Sequence, residues 1–256
     1  MRVRLFALIV LSACEAPRVE WSDPVSIAQN PGAATLTIDS AGTARFIAEP
    51  SPELALPSAP GLCKSSLRTV TGTKHVYAVW WAARPDSSAS LQTAKSTDSG
   101  KTWGSPAAVD TSDISSSGCR RPPPAVTAVG DDLHVAYSMV APEGTGVFFA
   151  HFMTTMLHSP VAVIYGERLV PTAIAADGDR VAVAYEEPNG KRRQIDVALS
   201  TTQGHIFEWH ATASRDVDVA TTPAVAMAKN HLAVAWMTQN GTDSTSSRVV
   251  RAGRIR

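Results

Sequence analysis

Three stretches of the chain share one rhythm of apolar and polar positions: PAVTAVGDDLHVAY (124–137), PTAIAADGDRVAVAY (171–185) and PAVAMAKNHLAVAW (223–236). In each, a proline precedes a short alternating run, a polar turn interrupts it, and a second alternating run closes on an aromatic residue. Alternation with period two sends successive side chains to opposite faces of an extended strand, so each stretch predicts a β-hairpin. The closing aromatics lie 48 and then 51 residues apart. LRTVTGTKHVYAVW (67–80) fits the same template and ATLTIDSAGTARFI (34–47) fits it more loosely, giving five copies.

Further strands must fill the intervals. Residues 90–95, 146–153 and 194–200 alternate as third strands. WSDPVSI (21–27), WGSPAAV (103–109) and LHSPVAV (157–163) read as fourth strands entered through a proline, a residue tolerated at strand starts and exposed edges. No stretch sustains a helical period. Four antiparallel strands repeated around an axis make a β-propeller blade. The expected fold class is therefore all-β, a propeller of about five four-stranded blades, or six if a small blade lies between residues 47 and 66. WSDPVSI is a fourth strand with no first three before it, and residues 247–255 supply a third strand with no fourth after it. Pairing the two would complete the last blade and cover an exposed edge.

Between the third and fourth strands of the second copy the chain reads STDSGKTW (96–103), matching S-x-D-x-G-x-T-W at every specified position. STTQGHIF (200–207) occupies the equivalent turn two copies later, with Thr202 in place of the carboxylate. In the first octet Asp98 can accept N–H groups of its own turn, Gly100 can take the left-handed conformation, and Trp103 can plug the gap between sheets. The octet resembles the Asp box, the turn motif of sialidase-type (BNR-repeat) propellers. Ser96, Asp98, Gly100, Thr102 and Trp103 then form a structural turn on the periphery of the ring, away from the catalytic face.

The first fourteen residues, MRVRLFALIVLSAC, carry two arginines, an apolar run and a small-residue cleavage site. They read as a secretory signal, too short for a permanent membrane span. The LSAC ending resembles a bacterial lipobox. The implied organisation is a signal peptide over 1–13, a short tether over 14–20 beginning at a lipidated Cys14, and one propeller domain over 21–256. The expected location is the bacterial cell envelope, at the outer membrane or cell surface, held by the lipid. Export makes a Cys63–Cys119 disulfide the favoured state over a metal site or redox switch, with two free buried thiols as the alternative.

Charge adds little. The 23 basic and 23 acidic residues cancel, and the chain without residues 1–13 carries −2. No basic stripe with interleaved aromatics is present, which argues against nucleic acid as a partner. The hydrophobic fraction of 44% supports one ample core.

A sialidase resemblance implies three arginines gripping a sugar carboxylate, a tyrosine nucleophile paired with a glutamate, and an aspartate acid/base. The nearest match to the family's first arginine stretch, F-R-I-P, is ARFIAEP (44–50), where Arg45 and Phe46 stand in reversed order. A shift of one residue turns the guanidinium to the other face of the strand. Arg68, Arg120 and Arg121 begin inner-strand segments and are candidate ligand-binding groups, with solvated loop charges as the alternative for the last two. Glu49, Tyr185 and Glu187 are the catalytic candidates. Glu186 and Glu187 face opposite ways on a strand, so at most one of them aims at a shared site. The seven histidines are scattered, and His151 with His158 makes no metal motif, so neither metal nor cofactor is expected. Tyr77 and Trp81 share one strand face and Trp80 takes the other, as packing between blades requires.

The residues favour a non-catalytic monomeric module that binds a glycan or another envelope protein at the ring's centre. The alternative is an exo-acting, sialidase-like glycoside hydrolase with relocated catalytic groups.

Overall fold

The computed structural model describes residues 17–27, 34–48, 54–153, 156–190, 193–214, 219–239 and 246–256. The candidate Cys14 and the signal segment lie outside these residues, as does Glu49. Strands β1 (Val19–Trp21) and β2 (Val25–Ile27) are followed by a hairpin of β3 (Thr35–Ile38) and β4 (Ala44–Ile47). A 3₁₀ turn at Lys64–Ser66 leads into β5 (Arg68–Thr71), β6 (Val76–Ala83), β7 (Ala89–Ser96) and β8 (Ala107–Asp110). Then come β9 (Ala125–Val129), β10 (Asp132–Ala141), β11 (Gly144–Met153), β12 (Met156–Leu157) and β13 (Val161–Gly166). The last three groups are β14 (Thr172–Asp177), β15 (Arg180–Glu186), β16 (Ile195–Ser200) and β17 (Trp209–Thr212), followed by β18 (Val219–Ala228), β19 (His231–Gln239) and β20 (Ser246–Ile255).

The strands form antiparallel sheets ordered β5-β6-β7-β8, β9-β10-β11 with β12 and β13 both on β11, β14-β15-β16-β17, and β18-β19-β20. β3 and β4 form a two-stranded sheet. Both β1 and β2 pair with β20, Trp21 opposite Gly253 and Val25 opposite Val250. The N-terminal segment therefore covers the edge that β20 would otherwise expose.

Alternation explains why the sheets stack. The side chains of one face of β6, Tyr77, Val79 and Trp81, pack with Leu133, Val135 and Tyr137 of β10. Ala136 and Phe149 from the other face of that sheet meet Val181, Val183 and Tyr185 of β15. Ala182, Ala184 and Val197 in turn meet Val225, Val234 and Trp236, and Ala233 and Ala235 meet Leu36 and Ile38. Trp80, on the opposite face from Trp81, packs with Ala59, Leu62 and Trp103. The β9–β13, β14–β17 and β18–β20 sheets are thus apolar on both faces and serve as walls for two neighbours, so their central strands read as nearly unbroken buried runs.

The hairpin turns are short because the sequence provides left-handed residues where they are needed. Gly130, Gly178 and Lys229 each open a two-residue loop with φ of 62°, 58° and 53°, as tight hairpins demand. These turns also link sheet to sheet. Asp131 accepts the Lys74 N–H at 2.7 Å, Arg180 donates to the Lys229 carbonyl at 2.8 Å, and the Lys229 N–H donates to Asp177.

The octet at 96–103 is a closed hydrogen-bond unit. Ser96 Oγ donates to Asp98 at 2.7 Å and accepts the Gly100 N–H at 2.8 Å. Asp98 accepts the Thr102 N–H at 2.8 Å and the Thr102 hydroxyl at 2.6 Å. Those two donors, followed by Ser96, hold the Asp98 carboxyl down to about 2. Gly100 has φ of 84°, and a Cβ there would lie 2.4 Å from Leu54 Cδ2. Trp103 caps the Trp80 side of its own sheet and donates to the Ala55 carbonyl at 2.7 Å. In the second turn, Ser200 accepts the Gly204 N–H at 3.0 Å. Thr202 Oγ1 takes the place of the carboxylate and accepts the Ile206 N–H at 3.2 Å.

Candidate functional site

The first strands of the sheets are neighbours in the order β5, β9, β14, β18, β3. They border a cavity of about 440 Å³ whose lining combines Thr35, Arg68, Thr69, Pro123, Pro124, Pro171, Thr172, Thr222 and Pro223 with aliphatic side chains such as Leu36, Val126, Ile174 and Val225. The proline that opens each repeat hairpin has a physical purpose here. An innermost strand turns one edge toward the centre, and a residue without an N–H at the strand start keeps that edge from recruiting another strand. In β18 the same role needs a bulge: the register with β19 shifts between Thr221 and Ala224, and Thr222 has φ of 54°. The Thr222 N–H released from the ladder donates to Glu186 Oε1 at 3.2 Å.

The lining thus mixes threonine hydroxyls, proline rings and aliphatic side chains with, among the described residues, one guanidinium. Arg68 is exposed at its rim and donates to the carbonyls of Leu67 at 2.8 Å and Ser65 at 3.3 Å. Two carbonyl contacts through one nitrogen steady the stem and leave other guanidinium N–H groups for a ligand.

The remaining sequence candidates do not join it. Arg121 is buried and forms an ion pair with Asp113 at 2.9 Å, both side chains being at most 1% exposed. It also donates to Gly118 O at 2.8 Å and Ser115 Oγ at 3.0 Å and lies 4.8 Å over the Trp81 ring. The expectation of a ligand-binding Arg121 is corrected by this geometry, because its guanidinium is buried in the wall against Asp113. Arg120, next to it, is exposed and is absent from the cavity lining. Arg45 is exposed and pairs with Asp39 at 3.4 Å. Cys63 and Cys119 are disulfide-bonded with Cα atoms 5.3 Å apart, so the bridge holds the loop bearing Arg121 against the β5–β8 sheet.

Tyr185 is 2% exposed and lies in the packing layer between sheets, its hydroxyl 3.2 Å from His210 Nδ1. Burial, then the carboxylates of Asp196 and Glu187, push its phenol well above the ordinary range. The phenol is absent from the cavity lining. Glu187 accepts the Asn189 N–H at 2.9 Å, and its carbonyl accepts from Arg168 at 2.5 Å. Glu186, which the sequence pairs with it, is the carboxylate that reaches the mouth's wall, through Thr222.

One constellation went unseen in the sequence. His151, His158 and His205 each offer a ring nitrogen, all within 4.8 Å of one another, at the outer side of the β9–β13 sheet near the 200–207 turn. Rings so placed could hold a metal ion. His151 and His158 are opposed across a hairpin whose pairs are Phe152 with Leu157 and Met153 with Met156, and His205 arrives from the next sheet. H-x₆-H with a symmetric hairpin centre was the available signal, but the third ligand is 47 residues away.

No family model matches the chain, and no curated protein matches it. Among solved structures, it is similar to a protein of unknown function from Dyadobacter fermentans DSM 18053 with a TM-score of 0.51 and 16% identity, over 71% of this chain and 50% of that one. It is also similar to a mutant Trypanosoma rangeli sialidase displaying trans-sialidase activity, with a TM-score of 0.50 and 14% identity, over 87% of this chain and 40% of that one. The chain spans half or less of the length of each. A Bacillus halodurans C-125 xylan β-1,4-xylosidase is more distant, at a TM-score of 0.44 and 10% identity over 81% of this chain and 45% of that one. The likeness is one of fold. These neighbours include propeller glycosidases, and the chain is all-β with several antiparallel four-stranded sheets of that kind.

Proposed function

We propose that the chain is a five-bladed propeller that binds a glycan at its central mouth and does not hydrolyse it. The observation that carries this reading is the lining of the cavity. Threonines, prolines and aliphatic side chains surround one rim arginine, while Tyr185 and Arg121 are committed to bonds within the walls. Hydroxyls with a single guanidinium suit an anionic sugar: the planar fork takes a carboxylate bidentately, and the hydroxyls exchange with sugar hydroxyls. Pairing of β1 and β2 with β20 supports ring closure by the two ends of the chain. Fold likeness alone carries no activity.

The same reading places the domain at the surface of a bacterial envelope. A lipid on Cys14 would hold it there, and the glycan or envelope partner would be met by the open mouth. Mass spectrometry of the membrane fraction should find a diacylglyceryl adduct on a peptide beginning at Cys14, absent in Cys14→Ala.

The decisive experiment is a glycan array probed with wild type and Arg68→Ala. Saturable binding of acidic glycans that falls about tenfold or more in the variant is expected, the loss of one charge-assisted contact. Absence of saturable binding, or turnover of a fluorogenic sialoside by the wild type, would overturn the proposal. Turnover would restore the exo-glycosidase reading.

A further inference from the structure

The three histidines at the outer edge form a site of their own. We infer that His151, His158 and His205 bind a divalent transition metal, zinc by preference, and that the metal ties the β11–β12 hairpin to the turn that follows β16. His151 is the fixed member of the group. It is 1% exposed, and its Nδ1 lies 2.8 Å from the Gln203 carbonyl. A carbonyl can only accept, so Nδ1 carries the proton and Nε2 presents its lone pair. That Nε2 is buried with no hydrogen-bond partner among the described residues. A buried acceptor left unsatisfied bears the full cost of its desolvation, and a metal supplies the missing partner. Nδ1–H to a backbone carbonyl is also the arrangement that fixes the tautomer and orientation of a metal-bound imidazole.

The other two rings are placed by separate elements. His158 lies opposite His151 across the hairpin, its N–H donating to the His151 carbonyl at 3.0 Å, with ring centroids 4.4 Å apart. His205 comes from the second box-like turn, at the position that Lys101 holds in the first. Its ring is 5.0 Å from His151 and 5.2 Å from His158. That turn is locked in place: Gly204 has φ of 87°, and a Cβ there would stand 2.1 Å from Phe149 Cε1. Gln203 is held by Asp179, which accepts its side-chain amide at 2.6 Å. The carbonyl behind His151 and the ring of His205 therefore belong to one rigid turn.

All three rings meet edge to face, at interplanar angles of 69° to 81°, so their in-plane lone pairs can point to one centre rather than stack past it. Zinc at about 2.0–2.1 Å from each nitrogen sets ligand atoms about 3.3 Å apart. His158 is half-buried and His205 exposed, so both can draw inward on the fixed His151. Imidazole-only donor sets suit zinc, copper(II) and nickel and exclude magnesium and calcium, which need oxygen. Three protein ligands leave a fourth position, on the solvent side, for water.

The test uses the full chain, stripped with a chelator and titrated with zinc chloride by calorimetry, alongside His158→Ala and His205→Ala. One equivalent should bind at micromolar affinity or tighter, falling at least tenfold in each variant. Zinc should raise the thermal midpoint of the wild type and leave that of either variant unchanged. Both replaced rings reach solvent, and equal unfolding midpoints in chelator will show that the variants fold. No binding at 100-fold excess over protein, or unaltered affinity in both variants, overturns the inference.

Discussion

Replacing Arg121 with methionine separates the wall role of this residue from a ligand role. Methionine keeps an apolar stem above Trp81 but removes the charge that faces Asp113. Asp113 would then be a buried carboxylate with its remaining partners only, the Ala89 N–H at 3.0 Å, the Val140 N–H at 3.4 Å and the Ser115 hydroxyl at 3.3 Å. These partners come from two sheets, so the carboxylate cannot turn to water without releasing both. Removing one member of a buried pair costs about 3–5 kcal/mol. At this chain length that lowers the thermal midpoint by about 10 °C. Urea unfolding at pH 7, followed by tryptophan fluorescence, measures the loss. The double variant Arg121→Met with Asp113→Asn should recover part of it, because no uncompensated charge remains. A loss below about 1 kcal/mol, together with a tenfold drop in glycan binding, would refute the reasoning and return Arg121 to the ligand site.

Three other outcomes follow from the same geometry. Reducing the Cys63–Cys119 bridge, which closes a separation of 56 residues, should cost about 4 kcal/mol by loop-closure entropy, read as a lower urea midpoint in dithiothreitol that Cys63→Ser reproduces. The Asp98 carboxyl is held at about 2 in the fold against 3.8 without its donors. Its contribution is therefore complete above pH 3.8 and lost as pH falls towards 2, and Asp98→Asn should flatten acid unfolding across that interval. Tyr185→Phe should remove about 1 kcal/mol with the His210 contact and leave glycan affinity unchanged; a variant that abolished glycoside turnover would instead mark Tyr185 as a nucleophile.

Much of the architecture was legible because its determinants are local. The prolines at 124, 171 and 223, the polar turns after each first strand and the apolar alternation are each read within a dozen residues, and they led to the observed hairpins β9–β10, β14–β15 and β18–β19. The fourth-strand segments at 21–27, 103–109 and 157–163 contain β2, all but the last residue of β8 and the first half of β13. Period-two alternation also divided Tyr77 and Trp81 from Trp80, which enter different packing layers.

The site was less legible. Arg68 opens an inner strand and Arg121 stands just ahead of one, yet the first reaches the mouth and the second turns into the wall, because Asp113 arrives from a loop whose path local pattern does not encode. Glu186 and Glu187 could be sorted to opposite faces but not to their partners, since Thr222 frees its N–H only at a bulge in the next sheet. The histidine group needed the same information, with His205 brought to His151 by the rotation of one sheet against the next.

The sequence by itself determined the strands, their turns and which side chains share a face, since backbone sterics and side-chain alternation act between near neighbours in the chain. Only the tertiary structure decided which loops converge at the centre, which charges are buried together and which rings meet at the edge. Those contacts join residues tens of positions apart, and their distances are set by how successive twisted sheets pack face to face.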